Sequence, residues 1–172
     1  MAKSGDIEYL DRYALALGKL VGNLSSLESA VRIALHYLNV PADDRAPTFG
    51  LSDVAVGDTV LLTSVSKWAS LGGLIADFNG HHRDSRPDLL LDEGIVDIRN
   101  AFAHGMVSAE STTSPLILLK FGSASGDRVP ITAKYTLTEI WMADQVKRVY
   151  VAIDKVQSRL DELAPFPPTT PT

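Results

Sequence analysis

Leu91-Asp92-Glu93-Gly94-Ile95-Val96-Asp97-Ile98-Arg99-Asn100-Ala101-Phe102-Ala103-His104-Gly105 carries its large apolar residues, Leu91, Ile95, Ile98 and Phe102, at intervals of 4, 3 and 4. That is the spacing of one buried helix face. It predicts a helix from about Asp88 to His104, closed by Gly105. Glu93, Asp97, Asn100 and His104 repeat the same intervals about half a turn away, so the helix has a second face that is entirely polar. Chemistry is expected on that face. His104-Gly105 is also what an ordinary helix stop looks like, because glycine is favoured just past a helix end and a histidine in the last turn interacts well with the helix dipole. Arg99 and His104, five residues apart, point about 140° away from each other on a straight helix. They converge only if the helix end unwinds at Gly105 or if two subunits present their copies to each other.

Working back toward the N-terminus, Leu10, Leu17, Leu24, Val31 and Leu38 recur every seven residues, with Tyr13, Leu20, Leu27 and Ala34 as a second series. This predicts one long helix from about Asp6 to Asn39, roughly 40 Å of apolar seam buried against partner helices. Gly18 and Gly22 weaken it locally. Glu28 lies beside the seam, where a carboxylate is costly unless paired, and Arg99 is a candidate partner for it. Pro41 to Pro47 breaks the helix. Leu61, Val65, Trp68, Leu71, Ile75 and Phe78 suggest a second helix from about Asp58, with Asp58 as its N-cap and Asn79-Gly80 as its stop. His81, His82, Arg83 and Arg86 follow as either a local basic patch or a solvated loop.

Toward the C-terminus, Leu116 to Phe121 and Val129 to Tyr135 flank Gly122 to Asp127 as a β-hairpin, and Pro130 assigns its strand to an edge. Thr136-Leu137-Thr138-Glu139 has capping-box form. It opens a helix marked by Met142, Val146, Val149, Ile153, Val156, Leu160 and Leu163. The fold expected is therefore all-α: an up-down bundle of about four helices with a small β-hairpin between the motif helix and the last one. Residues 1–164 form one domain, and 165–172 are a disordered Pro/Thr-rich tail.

Composition narrows the function. The 172 residues include no cysteine, which excludes disulfides and thiolate metal sites and fits a reducing cytosol. No signal peptide or run of about 18 apolar residues is present, so a cytoplasmic protein without a membrane anchor is expected. The net charge of -5 argues against a broad basic nucleic-acid surface. A compact cleft that engages one or two phosphates does not need one. No cluster has metal-ligand spacing, and no glycine-rich phosphate loop suggests a nucleotide cofactor.

Arg99-Asn100-x-x-x-His104, followed by Gly105, resembles the signature of HEPN domains, helical bundles whose Arg-(x4 to 6)-His motif often has Asn, Asp or His directly after the arginine. The order of a long first helix, a late motif helix and a final amphipathic helix is similar to that family as well. The resemblance implies a metal-independent endoribonuclease that acts as a homodimer, with two motifs forming one cleft and no cofactor. It gives His104 the acid or base role, Arg99 the phosphate contact and Asn100 the orientation of one or both; Glu28 is an auxiliary residue on the separate ground that it could pair with Arg99, the alternative being an ordinary exposed position at the edge of the seam. An imidazole, whose ordinary pKa is about 6.5, suits proton transfer at neutral pH. The family also implies RNA as substrate, an antitoxin as a possible partner, and roles in toxin-antitoxin or phage-defence systems. The competing expectation is a non-catalytic helical interaction module that keeps the signature for structural reasons.

Overall fold

The computed structural model describes residues 4–41, 55–56, 65, 67, 69–109, 111 and 114–163. Among these the chain is mostly helical: α1 (Ser4–Asn39), α2 (Leu71–His82), α3 (Gly94–His104) and α4 (Glu139–Leu163), with a 3-10 turn at Pro87–Leu89. Three strands, β1 (Met106–Ser108), β2 (Leu116–Phe121) and β3 (Ile131–Leu137), form one antiparallel sheet in the order β1-β2-β3. The expected hairpin is thus the β2-β3 part of a three-stranded sheet. β1 pairs Met106 with Leu119 and Ser108 with Ile117, while β2 pairs Leu118 with Tyr135. Pro130 immediately precedes β3, which is an edge strand, and its carbonyl accepts from the Gly122 amide at 2.8 Å.

The chain forms two compact units. The first comprises Met1–Ser25 and Asp92–Val151. Its interior is built from Leu20 and Leu24 of α1, Ile95, Ile98 and Ala101 of α3, Leu118 and Leu137 of the sheet, and Met142 and Val149 of α4. The second comprises Ser26–Leu91 and Ala152–Thr172. Leu27, Val31, Ala34, Leu71, Ile75, Phe78, Leu91, Val156 and Leu160 are buried there.

The helix periodicities translate into burial unevenly. In α1 the seam is buried from Leu20 to Leu35, but Leu10 is half-exposed and Tyr13 and Leu17 are only partly covered. In α4, Met142, Val149, Val156 and Leu160 are buried, with Val146 and Ile153 at the margin. The cap of α4 is Thr138, whose Oγ1 accepts from the Trp141 amide at 3.1 Å. Thr136, the expected cap, is consumed by β3, which runs to Leu137.

α2 departs from expectation at both ends. It begins at Leu71, capped by Ser70, whose Oγ accepts from the Gly73 amide at 3.2 Å. Asp58 to Ser64 and Trp68 lie outside the described residues, as do residues 42–50 and the tail from 164 onward. The helix also continues through Asn79-Gly80 to His82. Asn79 is buried, and its amide grips the backbone of Leu91 twice: Nδ2 donates to the Leu91 carbonyl at 3.0 Å, and Oδ1 accepts from the Leu91 amide at 2.8 Å. A side chain expected to stop the helix instead fixes a segment 12 residues away.

The basic patch suggested for 81–86 is also revised. His82 is buried against Phe78, with Nδ1 donating to the Phe78 carbonyl at 2.7 Å. Arg86 bonds to Asp88 and Glu162, which raises its pKa and holds both carboxyls below their usual range. Of its four basic residues, only His81 and Arg83 remain exposed and uncommitted among the described residues.

Two outcomes test this packing by urea denaturation. Asn79→Ala should cost about 3 kcal/mol, because both buried Leu91 groups lose their partner. Gly18 and Gly22 meet nothing within 4 Å where a Cβ would stand. Gly18→Ala and Gly22→Ala should each therefore stabilise the protein by about 0.5–1 kcal/mol. A loss of stability would show that this face of α1 is covered in solution.

Candidate functional site

The polar face of α3 forms as its spacing demands. Ile95, Ile98 and Ala101 are buried, while Glu93, Asp97 and His104 are exposed and Asn100 is half-covered. Phe102 sits at the edge of the buried stripe, its ring centroid 6.4 Å from that of Trp141, which in turn lies 5.5 Å from Tyr135 of β3. The start of α3 is held by Asp92: Oδ1 accepts from the Gly94 amide at 2.8 Å, and Oδ2 accepts from Arg148 of α4 at 2.6 Å. Arg148 is itself bonded to the buried Gln145 at 2.6 Å.

The end of α3 is fixed by backbone proximity. The Gly105 amide donates to the Ala101 carbonyl at 2.8 Å. Its φ of -89° and ψ of -175° are ordinary extended values that any residue adopts. Glycine is required for space: a Cβ at this position would collide with the carbonyl oxygens of Ala101 and Leu119 and stand 3.0 Å from Leu118 Cδ1. Gly105 is therefore the point at which the helix ends and the chain turns into β1 against β2. A left-handed glycine stop, the usual form of a His-Gly helix end, is not what this residue provides.

Arg99 and Asn100 are brought together, with Arg99 Nη1 donating to Asn100 Oδ1 at 3.3 Å. Asn100 shares the polar face with His104 one turn on, so this bond ties the guanidinium to a residue of that face. His104 is exposed at the last position of α3 and has no hydrogen-bond partner among the described residues. Arg99 has no carboxylate partner among them either, whereas Arg12, Arg32, Arg86, Arg148 and Arg159 each do. Glu28, the expected auxiliary to Arg99, is instead held by Arg32 at 2.8 Å, one helical turn away. Arg32 also donates to the carbonyls of Lys67 and Ala69, so this pair anchors the chain that leads into α2.

Lys120 of β2, which had no assigned role in the sequence, reaches the polar face. Its Nζ lies 2.7 Å from Asp97 Oδ1, and that hydrogen bond holds the ammonium above its ordinary pKa. The alternation of Leu116 to Phe121 could have suggested that Lys120 projects on the same side as Leu118, but not which helix it would meet.

The arrangement is an open helix face. Two cavities in the same unit, one of about 180 Å³ between Tyr13, Leu137 and Met142 and one of about 360 Å³ beside Leu15 and Val146, include none of Arg99, Asn100 or His104. No group of three or more potential metal ligands occurs among the described residues, and no described helix is long and apolar enough to cross a membrane. Compared with protein-family models, curated proteins and solved structures, the chain matches none.

Because Gly105 is needed for close approach, Gly105→Ala should destabilise the protein by about 1–3 kcal/mol in urea unfolding. An unchanged midpoint would mean that the α3-β1 junction has room the structure does not show.

Proposed function

We propose that this chain is a HEPN-like helical bundle acting in the cytoplasm as a metal-independent endoribonuclease, with two copies placing their α3 motifs across one cleft. The observation that carries this is the pairing of two groups on the last turns of α3: an exposed imidazole and, five residues before it, a guanidinium tethered by Asn100, neither with a carboxylate partner among the described residues. A cation spared from ion pairing and aimed by an amide is suited to a phosphate. A solvent-facing imidazole is suited to moving protons at neutral pH.

In this mechanism neutral His104 takes the proton of a ribose 2′-OH as that oxygen attacks the adjacent phosphorus. Arg99 stabilises the negative charge on the phosphorane oxygens. The bond from phosphorus to the 5′ oxygen then breaks, and the leaving oxygen takes a proton from a second histidine in its imidazolium form. The products are a 2′,3′-cyclic phosphate and a 5′-OH. Each chain offers one motif histidine, so base and acid are both supplied only if the partner subunit's His104 completes the site. A twofold axis achieves this with one kind of interface. The setting implied is a toxin-antitoxin or phage-defence system, with an antitoxin as the restraining partner.

A second reading, a non-catalytic helical interaction module, is favoured by one observation: the carboxylates of Glu93 and Asp97 share the face with His104 and repel phosphate. The two readings part in a cleavage assay on single-stranded RNA in EDTA. The nuclease should leave cyclic phosphate ends, and His104→Ala should lower the rate by about 100-fold or more. Arg99→Ala should do likewise. No cleavage, or cleavage indifferent to His104→Ala, would leave the interaction module as the better account.

A further inference from the structure

The cation that stands on His104's side of α3 is Lys120, not Arg99. Asp97 and His104 are seven residues apart, which leaves them about 20° apart around the helix axis, whereas Arg99 lies about 140° from His104. Asp97 holds the Lys120 ammonium at 2.7 Å. The ammonium therefore shares an edge of the helix with the imidazole.

The backbone brings Lys120 there. Met106 pairs with Leu119 in antiparallel register, so Lys120 falls across from Gly105, and the Leu119 carbonyl lies against Gly105. Alternation puts Lys120 on the side of the sheet that carries buried Leu118, whose Cδ1 faces the end of α3. From the level of Gly105 the side chain runs back to Asp97, about two turns earlier, along the edge on which His104 projects.

Holding α3 in place does not need this pair. Arg148 and Asp92 fix the start of the helix, and the Gly105 junction fixes its end. The Lys120 and Asp97 side chains are 26% and 64% exposed, and an ion pair in contact with water contributes little to stability. An ammonium on a flexible four-carbon stem can exchange one oxyanion for another. A phosphate oxygen offers it the same charge-assisted bond as the Asp97 carboxylate.

We infer that Lys120 is a further substrate-binding residue of the site, giving up Asp97 to contact the RNA phosphate that lies beside His104. The inference rests on the ribonuclease reading for its ligand, and deepens it by giving that phosphate a cation from the same chain as the histidine. Asp97 and the phosphate compete for one ammonium. The two residues of the pair therefore act on binding in opposite directions.

The test is fluorescence anisotropy of the full chain with a labelled single-stranded 2′-O-methyl RNA, which lacks the attacking hydroxyl and so reports binding without chemistry. Lys120→Met should weaken binding by about tenfold and lower the slope of log affinity against log salt by about one. Lys120→Gln, a second neutral side chain, should do the same. Asp97→Asn should instead tighten binding by about threefold, because the ammonium loses its competing carboxylate. The double variant Asp97→Asn/Lys120→Met should bind at least about tenfold more weakly than Asp97→Asn alone. A pair that only braces the helix predicts the same loss from both single variants, and that result overturns the inference. So does a double variant equal to Asp97→Asn, which would leave Lys120 only the role of shielding Asp97. The two ideas fail separately. Cleavage that needs His104 but keeps the wild-type KM in Lys120→Met sinks the Lys120 contact alone, and opposite effects of Lys120→Met and Asp97→Asn on binding without any cleavage sink the nuclease alone.

Discussion

The passage of the backbone at Gly105 is the constraint on which the arrangement around α3 depends. Two carbonyl oxygens and the Leu118 methyl leave no space for a side chain there. The motif helix can thus end directly on β2, without an intervening loop. Further contacts hold α3 against the same sheet. Lys120 reaches back to Asp97, and Trp141 bridges Phe102 and Tyr135. His104 is the last residue before this junction, so its position is fixed by the close approach of two elements and not by a loop of its own.

Elsewhere buried polar groups set where segments begin and end. Asn79 saturates both backbone groups of Leu91, which would otherwise carry an unmet hydrogen-bonding demand in an apolar interior. Arg32 does the same for the carbonyls of Lys67 and Ala69, with Glu28 offsetting its charge. In both cases a helix reaches sideways to pin a stretch lacking regular structure of its own. Neither partner is near in sequence.

That distance explains which parts of the protein were legible from residues alone. Helices α1 and α4 announce themselves because a period of 3.5 to 3.6 is a local property that packing merely confirms. The polar face of α3 was readable for the same reason. β1 was not: three residues, Met106 to Ser108, are too few to show alternation, and only pairing with β2 makes them a strand. Thr136 and Thr138 satisfy capping rules equally well, and the length of β3 chose between them. Asn79-Gly80 has the composition of a helix stop, yet its role is decided by a partner 12 residues on. Glu28 was matched to a distant arginine when the one a single turn away, Arg32, took it. At the site, placement was legible and company was not. Spacing put Asn100 and His104 on one face, but neither the Arg99-Asn100 bond nor the arrival of Lys120 could be read from it.

An open helix face sets a physical requirement for the chemistry proposed for it. Water around an exposed imidazole and guanidinium screens their interaction with phosphate, and an electrostatic contribution large enough to lower a barrier needs a site from which much of that water is excluded. α3 alone cannot supply this, since His104 is exposed and the neighbouring cavities do not contain it. A second surface must close over the motif. The face of the same helix limits what that surface can be: exposed Glu93, with no cation partner among the described residues, opposes an anion arriving from the N-terminal side, whereas Asp97 is paired with Lys120. An anion is therefore least opposed at the Gly105 end of α3, away from Glu93. On this face the carboxylate of Glu93 stands at the start of α3 and His104 at its Gly105 end, so a surface that closes over the motif in the proposed reaction has to meet it at that end.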